Sequence, residues 1–216
     1  MGNALIIAGA ASLLVSVLYF EKKENRKGFV LTKGLLSLMF IWAALVQPHR
    51  FPVYSVFLMT GLGLCLVGDV CLALPQKRAF LLGLMSFLLG HVFYIVGFFW
   101  VSKANLWMWV GSSIAVIISA TVYFWLKPHL GGMGRAVFLY ILVITVMVSG
   151  SSRILGDISL GLPGRAMVFI GATSFYFSDI FVARDRFLKK QFFNRLVGLP
   201  MYYLGQFLLA FSQGLI

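Results

Sequence analysis

Charge is what this chain has least of. Only 11% of its 216 residues are charged, and six are acidic. Soluble domains keep roughly a quarter of their residues charged to hold a surface in water. A water-covered fold is therefore excluded, and with 61% hydrophobic residues the solvent must be lipid. Histidine is also scarce. His49 falls on the outer side of the expected bundle, His129 in an inner loop and only His91 in mid-membrane, so three histidines cannot converge on one zinc ion. The two cysteines, Cys65 and Cys71, lie in one expected helix, separated by roughly 9 Å, beyond the reach of a disulfide. The chain contains no G-x-S-x-G pentapeptide, the turn that presents a serine nucleophile. No basic segment precedes the first apolar run, Ala4 to Phe20, which reads as a span and not as a signal peptide.

What is present is hydrocarbon in long runs. A bilayer core of about 30 Å takes about 20 apolar residues per helix. Runs of that kind fall near 4–20, 29–46, 52–74, 79–101, 106–126, 136–152, 163–183 and 196–213. The expected fold is all-α: one polytopic membrane bundle of about eight transmembrane helices occupying residues 1–216. Pro48, Pro52, Pro75, Pro128 and Pro163 punctuate the span ends, and Pro200 is expected in the first turns of the last span, where a missing amide donor costs least. Fourteen of the 18 Lys and Arg residues fall in the loops after spans 1, 3, 5 and 7 or in the first turns that follow them; Arg50, Lys103, Arg153 and Arg165 fall on the other side. The positive-inside rule puts the basic set in the cytoplasm and both termini outside, in what is expected to be a bacterial inner membrane. The net charge of +12 then reflects orientation and attraction to anionic membrane lipids. It does not require nucleic acid, because a bundle without soluble basic arms offers no groove for it.

Two of the six acidic residues, Asp69 and Asp179, fall inside spans. A carboxylate in hydrocarbon costs about 2.5–3.5 kcal/mol on insertion scales and is a functional candidate for that reason. Counting along the helices puts Asp69 roughly 8 Å and Asp179 roughly 6 Å from the cytoplasmic ends of their spans. Lys33 and Tyr140 enter at similar depth, Tyr202 and Tyr203 lie slightly deeper, Gln206 deeper again, and His91 and Tyr94 near the middle. Plainer readings exist for each: an interhelical hydrogen bond for the acids or Gln206, a snorkelling lysine, an aromatic belt, a core histidine. Their shared leaflet is the argument for a site. A shift of 110 residues also superposes Gly61 on Gly171, Gly68 on Ser178, Asp69 on Asp179 and Ala73 on Ala183. Since both spans point the same way, this is the pattern of a parallel four-plus-four repeat.

Two neighbouring carboxyls in low dielectric do not both ionise, so the pair offers one proton donor and one base. An acid–base hydrolase uses that division of labour. A proton-coupled carrier or channel uses the same residue types as a relay, and the two readings stay open at this point.

The sequence resembles the lysoplasmalogenase, or YhhN, family. The resemblance rests on Leu-Val-Gly-Asp-Val-Cys-Leu-Ala-Leu-Pro at 66–75 with Phe87 to His91 and Phe93-Tyr94; on Gly171-Ala172, Phe175, Ser178-Asp179 and Ala183; and on Tyr202-Tyr203-Leu204-Gly205-Gln206. Lys33 after Thr32 and Tyr140 fit the same pattern, while Gly34 departs from it, standing where the family has proline. The resemblance implies hydrolysis of the vinyl ether bond of a lysophospholipid substrate, a lysoplasmalogen. Fatty aldehyde and glycerophosphocholine or glycerophosphoethanolamine would be the products, with no metal and no cofactor. It implies Asp69 and Asp179 as the catalytic pair. Lys33, His91, Tyr94, Tyr140, Ser178, Tyr202, Tyr203 and Gln206 are expected around the substrate, Lys33 holding its phosphate.

Overall fold

Eight apolar runs become eight helices, because in lipid a backbone must satisfy its own hydrogen bonds. They are α1 (Gly2–Lys22), α2 (Arg26–Leu45), α3 (Pro52–Ala73), α4 (Lys77–Val101), α5 (Leu106–Leu126), α6 (Gly134–Leu155), α7 (Leu162–Ala183) and α8 (Phe192–Ser212). The computed structural model describes residues 2–216, apart from the side chain of Lys77. Local chemistry sets the ends. Asn25 caps α2 by accepting from the Gly28 amide at 3.1 Å, and Asn105 caps α5 by accepting from Met108 at 3.2 Å. Prolines open α3 and α7, where an amide has no partner to lose. α2 runs unbroken through Gly34.

The eighth helix differs from expectation. It starts at Phe192, four residues early, so Pro200 lies inside it and not in its first turns. Pro200 brings no amide to the carbonyl one turn back. Among the described residues seven helices are long and apolar enough to cross a membrane, and α8 is not among them. Its polar content explains this: Asn194, Tyr202, Tyr203, Gln206 and Ser212 all point into protein, where lipid never tests their hydropathy.

The other helices turn large apolar side chains outward. Leu31, Ile117 and Phe124 are about two-thirds exposed, which suits a lipid-facing surface. All five tryptophans, at 42, 100, 107, 109 and 125, are exposed near helix ends, the position of an interfacial belt.

α3 lies closely along α4, and α7 along α8. Glycine allows both approaches. A Cβ at Gly61 would run into the Tyr94 ring and lie 3.0 Å from the Gly90 carbonyl; a Cβ at Gly171 would lie 3.0 Å from the Gly205 carbonyl and 3.1 Å from Leu209. Gly61, Gly90 and Tyr94 in one half thus correspond to Gly171, Gly205 and Leu209 in the other. The remaining packing follows the same order: α1 on α2 and α5 on α6, α2 on α3 and α6 on α7, then α8 back onto α2 and α4 onto α6. At one end of the bundle Arg195 reaches Asp185 at 3.2 Å and Glu21 at 3.6 Å, joining the α7–α8 connection to the end of α1. This end carries most of the basic residues.

Candidate active site

Helical spacing places Lys33 and Ser37 on one face of α2, one turn apart. That face meets Asp69 on α3. Lys33 Nζ lies 3.0 Å from Asp69 Oδ1 and also donates to the Asp69 carbonyl at 3.3 Å. Ser37 and Tyr202 both donate to Oδ2, each at 2.6 Å. Tyr203 stands 3.2 Å from the Ser37 hydroxyl and donates to the Lys33 carbonyl at 3.3 Å. A buried ion pair needs hydrogen bonds to its remaining lone pairs and protons; here both Asp69 carboxylate oxygens are engaged and two of the three ammonium protons have acceptors. From Tyr202 the network continues inward. Gln206 donates to the Tyr202 oxygen at 3.2 Å, Tyr94 donates to Gln206 Oε1 at 2.8 Å, and the Tyr94 hydroxyl lies 3.7 Å from Cys65 Sγ.

Asp179 is placed differently. It is half-buried on α7, accepts one hydrogen bond, from the Tyr140 hydroxyl at 2.7 Å, and takes part in no ion pair among the described residues.

Both carboxyls line one cavity at the basic end of the bundle. Its wall is mainly apolar, from Leu84 and Phe87 on α4, Ile144 on α6 and Leu199 on α8. At the loop end of that wall stand Asp185, Arg186, Asn194 and Arg195. The arrangement can hold an apolar chain beside two carboxyls with a polar group among the arginines.

Of the residues picked out in the sequence, Lys33, Asp69, Tyr140, Ser178, Asp179 and Tyr202 line this cavity. The Ser178 hydroxyl is turned back to the Phe175 carbonyl at 2.7 Å. Tyr94, Tyr203 and Gln206 form a tier behind Tyr202. His91 is fully buried, packed against Phe175 with ring centroids 4.6 Å apart and Tyr140 at 5.4 Å, and neither ring nitrogen has a partner. The expectation that Lys33 holds a phosphate gives way to this geometry: its ammonium is buried and committed to Asp69. Sequence reading passed over Ser37, although one helical turn from Lys33 was the signal for it. It also passed over Asn194 and Arg195, because the last span was expected to begin after them.

The fold and cavity define a polytopic membrane protein with two carboxyls facing one cavity at one end of its bundle. The YhhN family model matches residues 28–213, and the chain belongs to the YhhN family. Among curated relatives, it is 33% identical over 180 residues to "Lysoplasmalogenase TMEM86B" of Mus musculus, covering 82% of this chain and 70% of the relative. The rat protein of the same name (Rattus norvegicus) is 32% identical over 179 residues, covering 82% and 68%. "Lysoplasmalogenase TMEM86A" of Bos taurus is 27% identical over 161 residues, covering 72% of this chain and 64% of that one. No solved structure matches the chain significantly.

Proposed function

We propose that this protein is a lysoplasmalogenase, hydrolysing the vinyl ether of a single-chain phospholipid with Asp179 and Asp69 as an unequal catalytic pair. One observation carries the mechanism: two carboxyls face one apolar cavity, and only one of them is neutralised by a cation. Asp69 is held as a carboxylate by Lys33, Ser37 and Tyr202. Asp179 has no counter-charge among the described residues, which leaves it the member of the pair able to carry and give up a proton.

Asp179 then gives its proton to the outer carbon of the vinyl ether. The double bond's electrons form the new C–H bond, and the ether oxygen shares the resulting positive charge as an oxocarbenium ion. The fixed Asp69 carboxylate stabilises that charge, as pre-placed groups do in a site shielded from water. Asp179, now ionised, takes a proton from the water that adds to the cation, which restores the acid. The hemiacetal collapses as its hydroxyl proton passes to the departing glycerol oxygen, releasing aldehyde and a glycerophospho-base. The apolar wall takes the alkenyl chain, and Arg186 and Arg195 stand where the phosphate emerges. With the basic end cytoplasmic, as the positive-inside bias supports, the substrate enters from the inner leaflet and both termini lie outside.

The relatives' names support the activity, and the confinement of the cavity to one end of the bundle supports a hydrolase over a carrier. The test is incubation of the purified protein with a lysoplasmalogen and with its ester-linked counterpart. Aldehyde is expected from the first alone. Intact vinyl ether, together with proton flux through the protein in sealed vesicles, would overturn the reading in favour of the carrier.

A further inference from the structure

One residue of the cavity wall carries a buried polar atom that the chemistry above does not use. Asn194, in the first turn of α8, is almost wholly buried and lines the cavity. Its Nδ2 donates to Asp185 Oδ1 at 3.1 Å and to the Lys189 carbonyl at 2.8 Å. Both partners are acceptors, so the orientation of the amide is fixed: nitrogen toward Asp185 and Lys189, oxygen away from them. That oxygen, Oδ1, is buried and has no donor among the described residues. Leaving a buried acceptor unpaired costs about 1–3 kcal/mol, and native sites that keep one usually have a use for it.

Its level in the bundle says what the use is. A Cβ at Gly198 would lie 3.0 Å from Phe181 and 3.6 Å from the Ser178 carbonyl, so Gly198 is level with the turn of α7 that carries Asp179. Asn194 is one helical turn toward the start of α8, about 6 Å along the axis, beside the backbone of Arg195. A lysolipid lying with its vinyl carbon at Asp179 and its phosphate at Arg186 and Arg195 puts its glycerol between the two. The middle carbon of that glycerol bears a free hydroxyl, the group that distinguishes a single-chain lipid from its two-chain parent.

We infer that Asn194 is a specificity-determining residue whose Oδ1 accepts the hydrogen of that free hydroxyl, so that the site selects the single-chain form. The inference rests on the lysoplasmalogenase reading. A two-chain lipid carries an ester in place of the hydroxyl. It offers no donor, leaves Oδ1 unpaired and brings a second chain against the Asp185–Asn194 contact. Sites built to hydrogen-bond a hydroxyl discriminate through the group left unpaired when it is missing.

The test compares two substrates in each protein preparation: the lysoplasmalogen, and its analogue with hydrogen in place of the middle hydroxyl. In the wild type, kcat/KM should favour the hydroxyl substrate by about tenfold, the size of one net hydrogen bond. In Asn194→Ala the ratio should fall toward unity. Because each ratio is taken within one preparation, partial misfolding cancels. Non-cleavable saturated ethers with and without the hydroxyl, used as binding probes by calorimetry, give the same ratio for a variant too damaged to turn over. A wild type that cleaves both substrates equally, or a ratio unchanged in Asn194→Ala, overturns the role of Asn194 while leaving the activity standing. No aldehyde from either substrate with the wild type removes the activity, and this inference with it.

Discussion

The two halves of the bundle place an aspartate at matching positions and treat it in opposite ways. In the first half α2 presents Lys33 to Asp69 on α3; in the second α6 presents Tyr140 to Asp179 on α7. Each of the partner helices α4 and α8 carries a glycine at its close contact, and three residues before it lies an aromatic ring: Phe87 before Gly90, Tyr202 before Gly205. Tyr202 has a hydroxyl and gives it to Asp69; Phe87 has none, and packs on Phe175 and Tyr202 instead. One residue after each glycine stand His91, without a hydrogen-bond partner, and Gln206, which has two. A cation from its own half and a phenol from the other at Asp69, against a single phenol at Asp179, turn matching carboxyls into a fixed charge and an uncommitted one.

The sharpest way to break this comparison is to neutralise each acid in turn. Asp179→Asn removes the proton donor with little change in shape. It should fold as the wild type does and lose about 10²–10⁴-fold in vinyl ether hydrolysis, the usual contribution of a placed acid, measured as aldehyde release per mole of protein. A variant of near wild-type rate would remove Asp179 from the chemistry.

Asp69→Asn should be inactive as well, but for this acid the fold also suffers. Removing one member of a buried ion pair costs about 3–5 kcal/mol, read as a large fall in unfolding midpoint in detergent. The double variant Lys33→Met/Asp69→Asn should recover much of the stability and none of the activity. Equal stability of the two single Asn variants would mean that the halves do not differ as described.

Smaller effects sharpen the same comparison. Gly171→Ala should cost about 1–3 kcal/mol by forcing α7 off the Gly205 carbonyl, as overpacked contacts do. Gly34→Ala, with nothing within 4 Å of its added carbon, should gain about 0.5–1 kcal/mol from reduced chain entropy. Tyr140→Phe removes a single oxygen. It leaves Asp179 without its one hydrogen bond and should lower kcat by about tenfold, with KM little altered.

Much of this was legible beforehand because lipid imposes simple rules. Span lengths follow from bilayer thickness, and depth follows from helical rise, so Asp69, Asp179, Tyr140 and Tyr202 could be assigned to one level from the sequence. Facing direction could not. Whether Lys33 reaches a headgroup or a carboxylate depends on which neighbour α2 meets, and hydropathy carries no trace of that neighbour. α8 was the hardest to read: its polar face lowers its apolar signal, which hid Asn194 and Arg195 outside the expected span and misplaced Pro200. The correspondence between the halves is faint for a related reason. The close-contact glycines and the acids match, while the residues around them differ in chemistry.

The modest hydropathy of α8 also bears on how the protein is made. A segment with buried tyrosines, a glutamine and an internal proline has weak affinity for lipid on its own, so its insertion depends on helices already in the membrane. The glycine contact with α7 supplies a docking seam, and Tyr202 finds Asp69 only after α2 and α3 are in place. A chain halted after its seven strongly apolar helices would be anchored and oriented, yet Asp69 would lack Tyr202 and the cavity would lack one wall. The cavity is therefore complete only once the last helix has docked.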